Sequence, residues 1–388
     1  MYKYTPAMGW DSWNTFGANI CDQVVRDTAD TIVAKGLDKC GYEYVVIDDC
    51  WAMPDRDENG RLVPIPEKFP HGMKALADYV HSKGLKFGIY TCVGNFTCGG
   101  YPASYEHEFI DAATFAEWGV DYVKCDYCYR PDNEVGEVLY RRLALALANC
   151  GREIMLNACS WGVDETHRWI KNTGAHSWRS TTDIWDNFGS VKQLYDLQKD
   201  VMEYNGRGCF NDMDMLIIGM GGEGNTISAA PGQGDDGTGA GCTFEEYRTH
   251  MSIWSMFASP LLIGADVAKL SDRDLSLLTN RAVLAINQDP AATSPFRFQL
   301  RQNYGPEVWG RVLENGDLAL LAVNFTDCPQ NAFIPFTALG LNTSCGVDLQ
   351  LTDLWSGQDI GTFRDQYRTD AIAPHDCRFI RARLVPRA

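Results

Sequence analysis

The 388-residue chain predicts an α/β fold: a (β/α)8 TIM barrel over residues 1–296, followed by a C-terminal antiparallel β-sandwich domain over 297–388. Three observations predict it. Strand-like runs alternate with amphipathic helical stretches over roughly 290 residues, the pattern of parallel strands joined by crossover helices. Eight such runs occur, which suits a closed barrel better than an open sheet. After INQDPAATSP (286–295) the pattern changes to alternating apolar runs joined by turn signals, without a long helix.

The strand candidates are MGWDSW (8–13), YEYVVIDD (42–49), LKFGIYT (85–91), VDYVKCD (120–126), EIMLNAC (153–159), HSWRS (176–180), GRGCFND (206–212) and PLLIGAD (260–266). Between them VVRDTADTIVAKGL (24–37), MKALADYVHSKGL (73–85), DAATFAEWGV (111–120) and VGEVLYRRLALALANCG (135–151) read as amphipathic helices. No dinucleotide fingerprint follows the first strand, which counts against a Rossmann fold. In the second domain VWGRVLENGDLALLAVNFT (308–326) is two alternating runs joined by Asn315-Gly316, a strong hairpin signal. VDLQLTDLW (347–355) and CRFIRARLV (377–385) add strands. The glycine-rich MGGEGNTISAAPGQGDDGTGAGC (220–242) reads as a loop, placed at the barrel mouth by its position after the seventh strand candidate.

Composition excludes some functions. Lys+Arg total 34 against 51 Asp+Glu, a formal charge of -17, and no basic stripe could neutralise phosphates, so no nucleic-acid partner is expected. No apolar run approaches the roughly 20 residues of a membrane span. MYKYTPAMGWDSWN shows no signal-peptide pattern. The expectation is a cytoplasmic protein if the chain is complete as written, and a secreted one if a leader was removed. Asn95-Phe96-Thr97, Asn324-Phe325-Thr326 and Asn342-Thr343-Ser344 would be glycosylation sequons only in the second case. The fourteen cysteines are scattered; Cys125-x-x-Cys128 is a lone pair and a weak zinc signal. No metal or cofactor is called for, and a homo-oligomer stays open.

The chemistry lies at the strand ends. In VDYVKCDYCY (120–129) side chains alternate, so Tyr122, Lys124 and Asp126 share one face of a strand that should be apolar. The second strand ends in Asp48-Asp49, the sixth runs into Arg179 and Asp183, and the seventh into Asp212 and Asp214, with Trp10, Trp13, Trp51, Tyr90 and Trp161 nearby. Any one of these carboxylates could be a helix N-cap, and of Asp48 and Asp49, on opposite sides of a strand, one could cap while the other faces the mouth. Together they converge on one rim, which is costly unless they bind something or each other. Carboxylates, a lysine, an arginine and exposed aromatics describe a sugar pocket. Cleaving a glycoside needs two carboxyl groups flanking the bond; the spacing alone leaves open which two.

MGWDSWNTF, YVVIDDCW, FPHGMKALADYVHSKGLKFGIYT, VGNFTCGGYP, FAEWGVDYVKCDYC, SWRSTTDIW and FNDMDML, in that order over roughly residues 6–290, resemble glycoside hydrolase family 27, the retaining α-galactosidases and α-N-acetylgalactosaminidases. The resemblance implies that Asp126 is the nucleophile and Asp183 the general acid/base. It implies that Trp13, Asp48, Asp49, Tyr90, Cys98, Lys124, Arg179, Asp214 and Met215 surround the sugar, with Asp48 and Asp49 reading O4 and O6. It also implies disulfides Cys21–Cys50 and Cys98–Cys128, which weakens the zinc reading further. In this scheme Lys124 favours the Asp126 carboxylate, and Asp183 must hold its proton in a less solvated site or near a negative charge.

The chain also departs from the family pattern. Cys159-Ser160-Trp161 stands where family α-galactosidases usually carry Cys-Glu-Trp beside the sugar's C2, and N-acetylgalactosaminidases place serine there. Ser160 therefore leans the expectation toward an α-N-acetylgalactosaminidase, although Val163 replaces the alanine that accompanies that serine in animal enzymes. Met213 replaces a family proline before Asp214. The expected function is a retaining exo-glycosidase acting on terminal α-N-acetylgalactosaminyl glycans, with an ordinary α-galactosidase on α-galactosyl glycans as the alternative. A carbohydrate-binding relic need not have kept both Asp126 and Asp183.

Overall fold

The computed structural model describes residues 5–223, 240–298 and 305–387; most of the glycine-rich segment expected at the mouth, 224–239, lies outside the described residues. Eight parallel strands form one sheet: β1 (Met8–Asp11), β2 (Tyr44–Val46), β3 (Lys86–Cys92), β4 (Tyr122–Asp126), β5 (Met155–Cys159), β6 (Ser177–Arg179), β7 (Phe210–Asp212) and β8 (Leu261–Ile263). Their order is β7-β6-β5-β4-β3-β2-β1-β8. The sheet closes just past β7, where Leu216 bridges Ile263 in parallel. There Leu216 N donates to Leu262 O at 2.7 Å and Gly264 N to Leu216 O at 2.8 Å.

The helices are α1 (Trp13–Phe16), α2 (Asp22–Ala34), α3 (Gly72–Ser82), α4 (Glu108–Trp118), α5 (Gly136–Ala148), α6 (Phe188–Gln198), α7 (Phe244–Met256), α8 (Asp272–Leu278) and α9 (Arg281–Asn287). α2 buries Val25, Ala29 and Ile32, one stripe at helical spacing. Side-chain caps come from Asn187, Thr243, Ser271 and Asn280. The carboxylates at the barrel rim therefore serve as none of these caps, and the capping alternative for them falls away. Among the described residues no helix is long and apolar enough to cross a membrane.

In the C-terminal domain β9 (Phe296–Arg297), β10 (Glu307–Val312), β11 (Leu318–Val323), β13 (Val347–Asp353), β14 (Asp359–Phe363) and β16 (Cys377–Pro386) pair antiparallel in the order β14-β13-β16-β11-β10-β9. β12 (Phe333–Pro335) pairs with β15 (Gln366–Arg368) in a second sheet. The β10–β11 hairpin turns at Asn315-Gly316, with Gly316 at φ 82°. Every residue of β11, LALLAV, is buried because its two faces meet different layers. Ala319, Leu321 and Val323 join the core continuous with the barrel, while Leu318, Leu320 and Ala322 pack with Ile334 and Phe336 inside the sandwich. Trp309 pins the contact, its indole N–H donating to Tyr195 Oη on α6 at 2.8 Å. Asn324 is buried here and its Nδ2 donates to three backbone carbonyls, so that sequon cannot carry a glycan in the folded chain.

Candidate active site

The carboxyl ends of the strands enclose a cavity of roughly 540 Å³. Trp13, Asp48, Asp49, Tyr90, Cys98, Lys124, Asp126, Arg179, Asp183, Asp214 and Met215 all line it, so the strand-four and strand-six segments meet across one space. Asn14, Trp161, Thr182, Trp185 and Gln193 complete the lining. Trp161 stood out in the sequence as an aromatic near the strand ends; Asn14, Thr182 and Trp185 fall inside the quoted motifs MGWDSWNTF and SWRSTTDIW without a role read for them, and Gln193 lies on α6, where no signal marks it. Trp10 and Trp51 are barrel core instead, their indoles donating to Ala265 O and Tyr90 O.

Asp126 ends β4 and is 8% exposed. Its Oδ2 accepts from Tyr90 Oη at 2.7 Å, and Cys98 Sγ stands 3.3 Å from the same oxygen. Oδ1 has no partner. Burial, opposed by Lys124, pushes this carboxyl up to about 6. Lys124 does not bond it directly: Nζ donates to Asp48 Oδ2 at 2.6 Å and lies 4.0 Å from Asp11 Oδ2. Burial disfavours the charged lysine, but Asp11 and Asp48 outweigh burial and keep it protonated. Asp48 Oδ1 accepts from Asp49 N, and Asp49 accepts from Cys50 N and Gly99 N, each at 2.7 Å. The expectation that these two aspartates point apart is corrected: β2 ends at Val46, so strand alternation no longer applies and both reach the cavity.

The loop wall at Cys98 depends on a close backbone approach. Val93 N donates to Asp126 O and Asn95 N to Tyr129 O, and a Cβ on Gly94 between them would lie 2.0 Å from Cys128 O. The Cys98–Cys128 disulfide clamps the same contact. Cys98, Cys128 and Asp126 have donor atoms within 4.8 Å of one another, but the disulfide removes both thiolates, so neither this cluster nor Cys125/Cys128 is suited to a metal. The second expected disulfide is absent. Cys21 and Cys50 are unbonded thiols; Cys50, at φ 69°, turns its sulfur toward Gly99, whereas Cys21 precedes α2. Lys68 joins the two segments instead, donating to Ala18 O at 2.7 Å and Cys50 O at 2.8 Å.

Opposite Asp126, the buried Arg179 holds two carboxylates: Nη2 lies 2.5 Å from Asp183 Oδ1 and 3.1 Å from Asp214 Oδ2. The Asp183 side chain is 50% exposed. Burial raises its carboxyl, but the guanidinium beside it wins and leaves it below the ordinary aspartate range. This reverses the sequence expectation of a carboxyl that keeps its proton, because the nearest charge is positive. Asp214 sits at φ 83°, an uncommon conformation for a residue with a side chain. Its Oδ2 also accepts from Ile184 N at 2.7 Å. Met213 leaves Asp214 and Met215 on the cavity, and its N–H donates to Ser259 Oγ at 2.9 Å, a bond a proline could not make.

Two expected sugar contacts do not line the cavity. Ser160 is fully buried, its Oγ 2.6 Å from Thr166 Oγ1, and Val163 begins the following helical turn. Left-handed Trp161 (φ 55°) and Gly162 (φ 79°) reverse the chain just after Ser160, and Trp161 takes the cavity position.

A parallel barrel whose strand ends gather aspartates, an arginine, a lysine and indoles around one cavity is the architecture of a glycosidase. Residues 5–289 match the family model described as alpha galactosidase A, and residues 303–382 match the alpha galactosidase C-terminal beta sandwich domain. The chain belongs to the α-galactosidase family, glycoside hydrolase family 27, and is a glycosidase. Among its relatives, an α-galactosidase of Oryza sativa subsp. japonica is 41% identical over 376 residues, 96% of this chain and 84% of that one. The crystal structure of α-galactosidase I from Mortierella vinacea superposes with a TM-score of 0.87 at 30% identity, covering 98% of this chain and 97% of that one. The Saccharomyces cerevisiae α-galactosidase solved with raffinose superposes at 0.86 with 27% identity and 98% coverage of both.

Proposed function

We propose that the protein is a retaining exo-α-galactosidase that removes terminal α-linked D-galactose from glycans. The observation that carries this reading is the shared cavity, where Asp126 and Asp183 approach from β4 and from the segment after β6. The α-galactosidase names of the relatives, one of them solved with raffinose, support galactose as the sugar. The lean toward N-acetylgalactosamine rested on Ser160, and Ser160 lies outside the cavity lining, so it lends that sugar no support.

Asp126 Oδ1, which accepts no hydrogen bond from the described residues, attacks the anomeric carbon while the bond to the leaving oxygen breaks and Asp183 gives that oxygen its proton. A galactosyl ester on Asp126 and a free alcohol result. Asp183, now a carboxylate, takes a proton from water; the water oxygen attacks the same carbon and Asp126 departs as a carboxylate. Two inversions give α-galactose. In this geometry burial favours the proton on Asp126 and Arg179 disfavours it on Asp183. A bound sugar corrects this by drawing Arg179 donors to its hydroxyls and by covering the half-exposed Asp183, both of which raise Asp183.

The test compares aryl α-D-galactoside with aryl α-N-acetylgalactosaminide under identical conditions. A kcat/KM at least tenfold higher on the galactoside is expected; equal or reversed preference would overturn galactose as the substrate.

A further inference from the structure

We propose that Trp185 and Gln193 form the seat for the sugar that departs, so that the enzyme selects α-galactosides whose leaving group is itself a sugar. This rests on the α-galactosidase reading above. The segment after the proposed acid/base alternates: Asp183 is exposed, Ile184 buried, Trp185 half-buried and Asp186 buried. Asp183 and Trp185 therefore face the same cavity, two residues apart and within about 7 Å along the chain. The backbone cannot easily rotate Trp185 away. Ile184 N donates to Asp214 Oδ2 at 2.7 Å and Trp185 N to Ser190 Oγ at 2.9 Å. The Asp186 carboxylate accepts from Gly222 N at 2.7 Å and from Tyr247 Oη at 2.8 Å.

The chemistry of the lining changes across the cavity. The deep wall is ionic, built from Asp48, Lys124, Arg179 and Asp214. Thr182 and Trp185 flank Asp183 along the chain, and Gln193 on α6 joins them in the lining, an indole with uncharged hydrogen-bonding side chains. That pairing suits a second sugar ring, whose C–H face packs on an indole while its hydroxyls reach an amide. The proton leaving Asp183 must arrive at the glycosidic oxygen, so the first ring of the leaving group lies next to this acid and beside Trp185.

The experiment measures kcat/KM on melibiose and on α-D-galactosyl fluoride, whose leaving group is too small to contact Trp185, for wild type, Trp185→Ala, Trp185→Phe and Gln193→Ala. In Trp185→Ala the melibiose-to-fluoride ratio should fall about tenfold or more, with most of it restored in Trp185→Phe. Gln193→Ala, at an exposed position of α6, should lower the ratio several-fold and serves as the test if Trp185→Ala does not fold. An unchanged ratio in the folded variants would overturn the proposal. Failure of the wild type to turn over the fluoride would instead sink the α-galactosidase reading itself.

Discussion

Replacing Asp126 by Asn is expected to abolish turnover and to stabilise the fold, the second effect only at higher pH. Burial lifts the Asp126 carboxyl from 3.8 to about 6, and each unit is worth about 1.4 kcal/mol. The ionised side chain thus costs the native state about 3 kcal/mol relative to the unfolded chain. Between roughly pH 4 and 6 the folded protein keeps this proton while the unfolded chain has lost it, so the native state loses that advantage as pH rises through about 6. Asparagine is neutral throughout and retains an acceptor for Tyr90 Oη. The stability gap between variant and wild type should therefore open from near zero at pH 4 to about 3 kcal/mol at pH 8, read by urea denaturation at both values. Removing the proposed nucleophile should lower kcat by about a thousandfold or more. A gap independent of pH, or a wild type more stable than the variant at pH 8, would refute the assigned burial cost.

Three further outcomes follow from the same geometry. The reaction needs one proton across Asp126 and Asp183, and the higher-lying group loses it near pH 6, so wild-type kcat/KM should fall about tenfold per unit above that pH; a plateau to pH 8 would contradict this. Cys98→Ser with Cys128→Ser opens a link spanning 30 residues, which should cost about 3–4 kcal/mol in denaturation and lower kcat/KM because Cys98 borders Asp126. An equally stable and active double variant would show the clamp is idle. Ser160→Ala loses the Thr166 bond, about 1 kcal/mol, and should leave the galactoside-to-acetamidogalactoside preference unchanged; a tenfold change would return Ser160 to the sugar.

The barrel was legible because short strand-like runs recur in regular alternation with helices that carry an apolar stripe, signals that do not depend on distant contacts. Lys124 and Asp126 were legible for the converse reason: charge inside such a run violates local expectation. What the sequence could not reveal depends on through-space geometry. Two left-handed residues after β5 turn Ser160 inward, and nothing in Cys-Ser-Trp announces them. Cys21 and Cys50 have fitting identities, yet both are thiols in the fold, where Lys68 joins the two segments through Ala18 O and Cys50 O. The sign of the Asp183 shift turned on a guanidinium 2.5 Å away; Trp185 closes the motif SWRSTTDIW but its cavity-facing side chain could not be read from it, and Gln193 sits on an exposed helix face without a distinctive pattern.

Proton NMR of the anomeric signals during the first moments of hydrolysis tests the two-carboxyl account most directly. Attack by Asp126 followed by water on the same carbon predicts that α-galactose appears first, with the β-anomer growing in only by mutarotation. β-Galactose as the first-formed product would mean a single inversion, and Asp126 could not then be a covalent nucleophile.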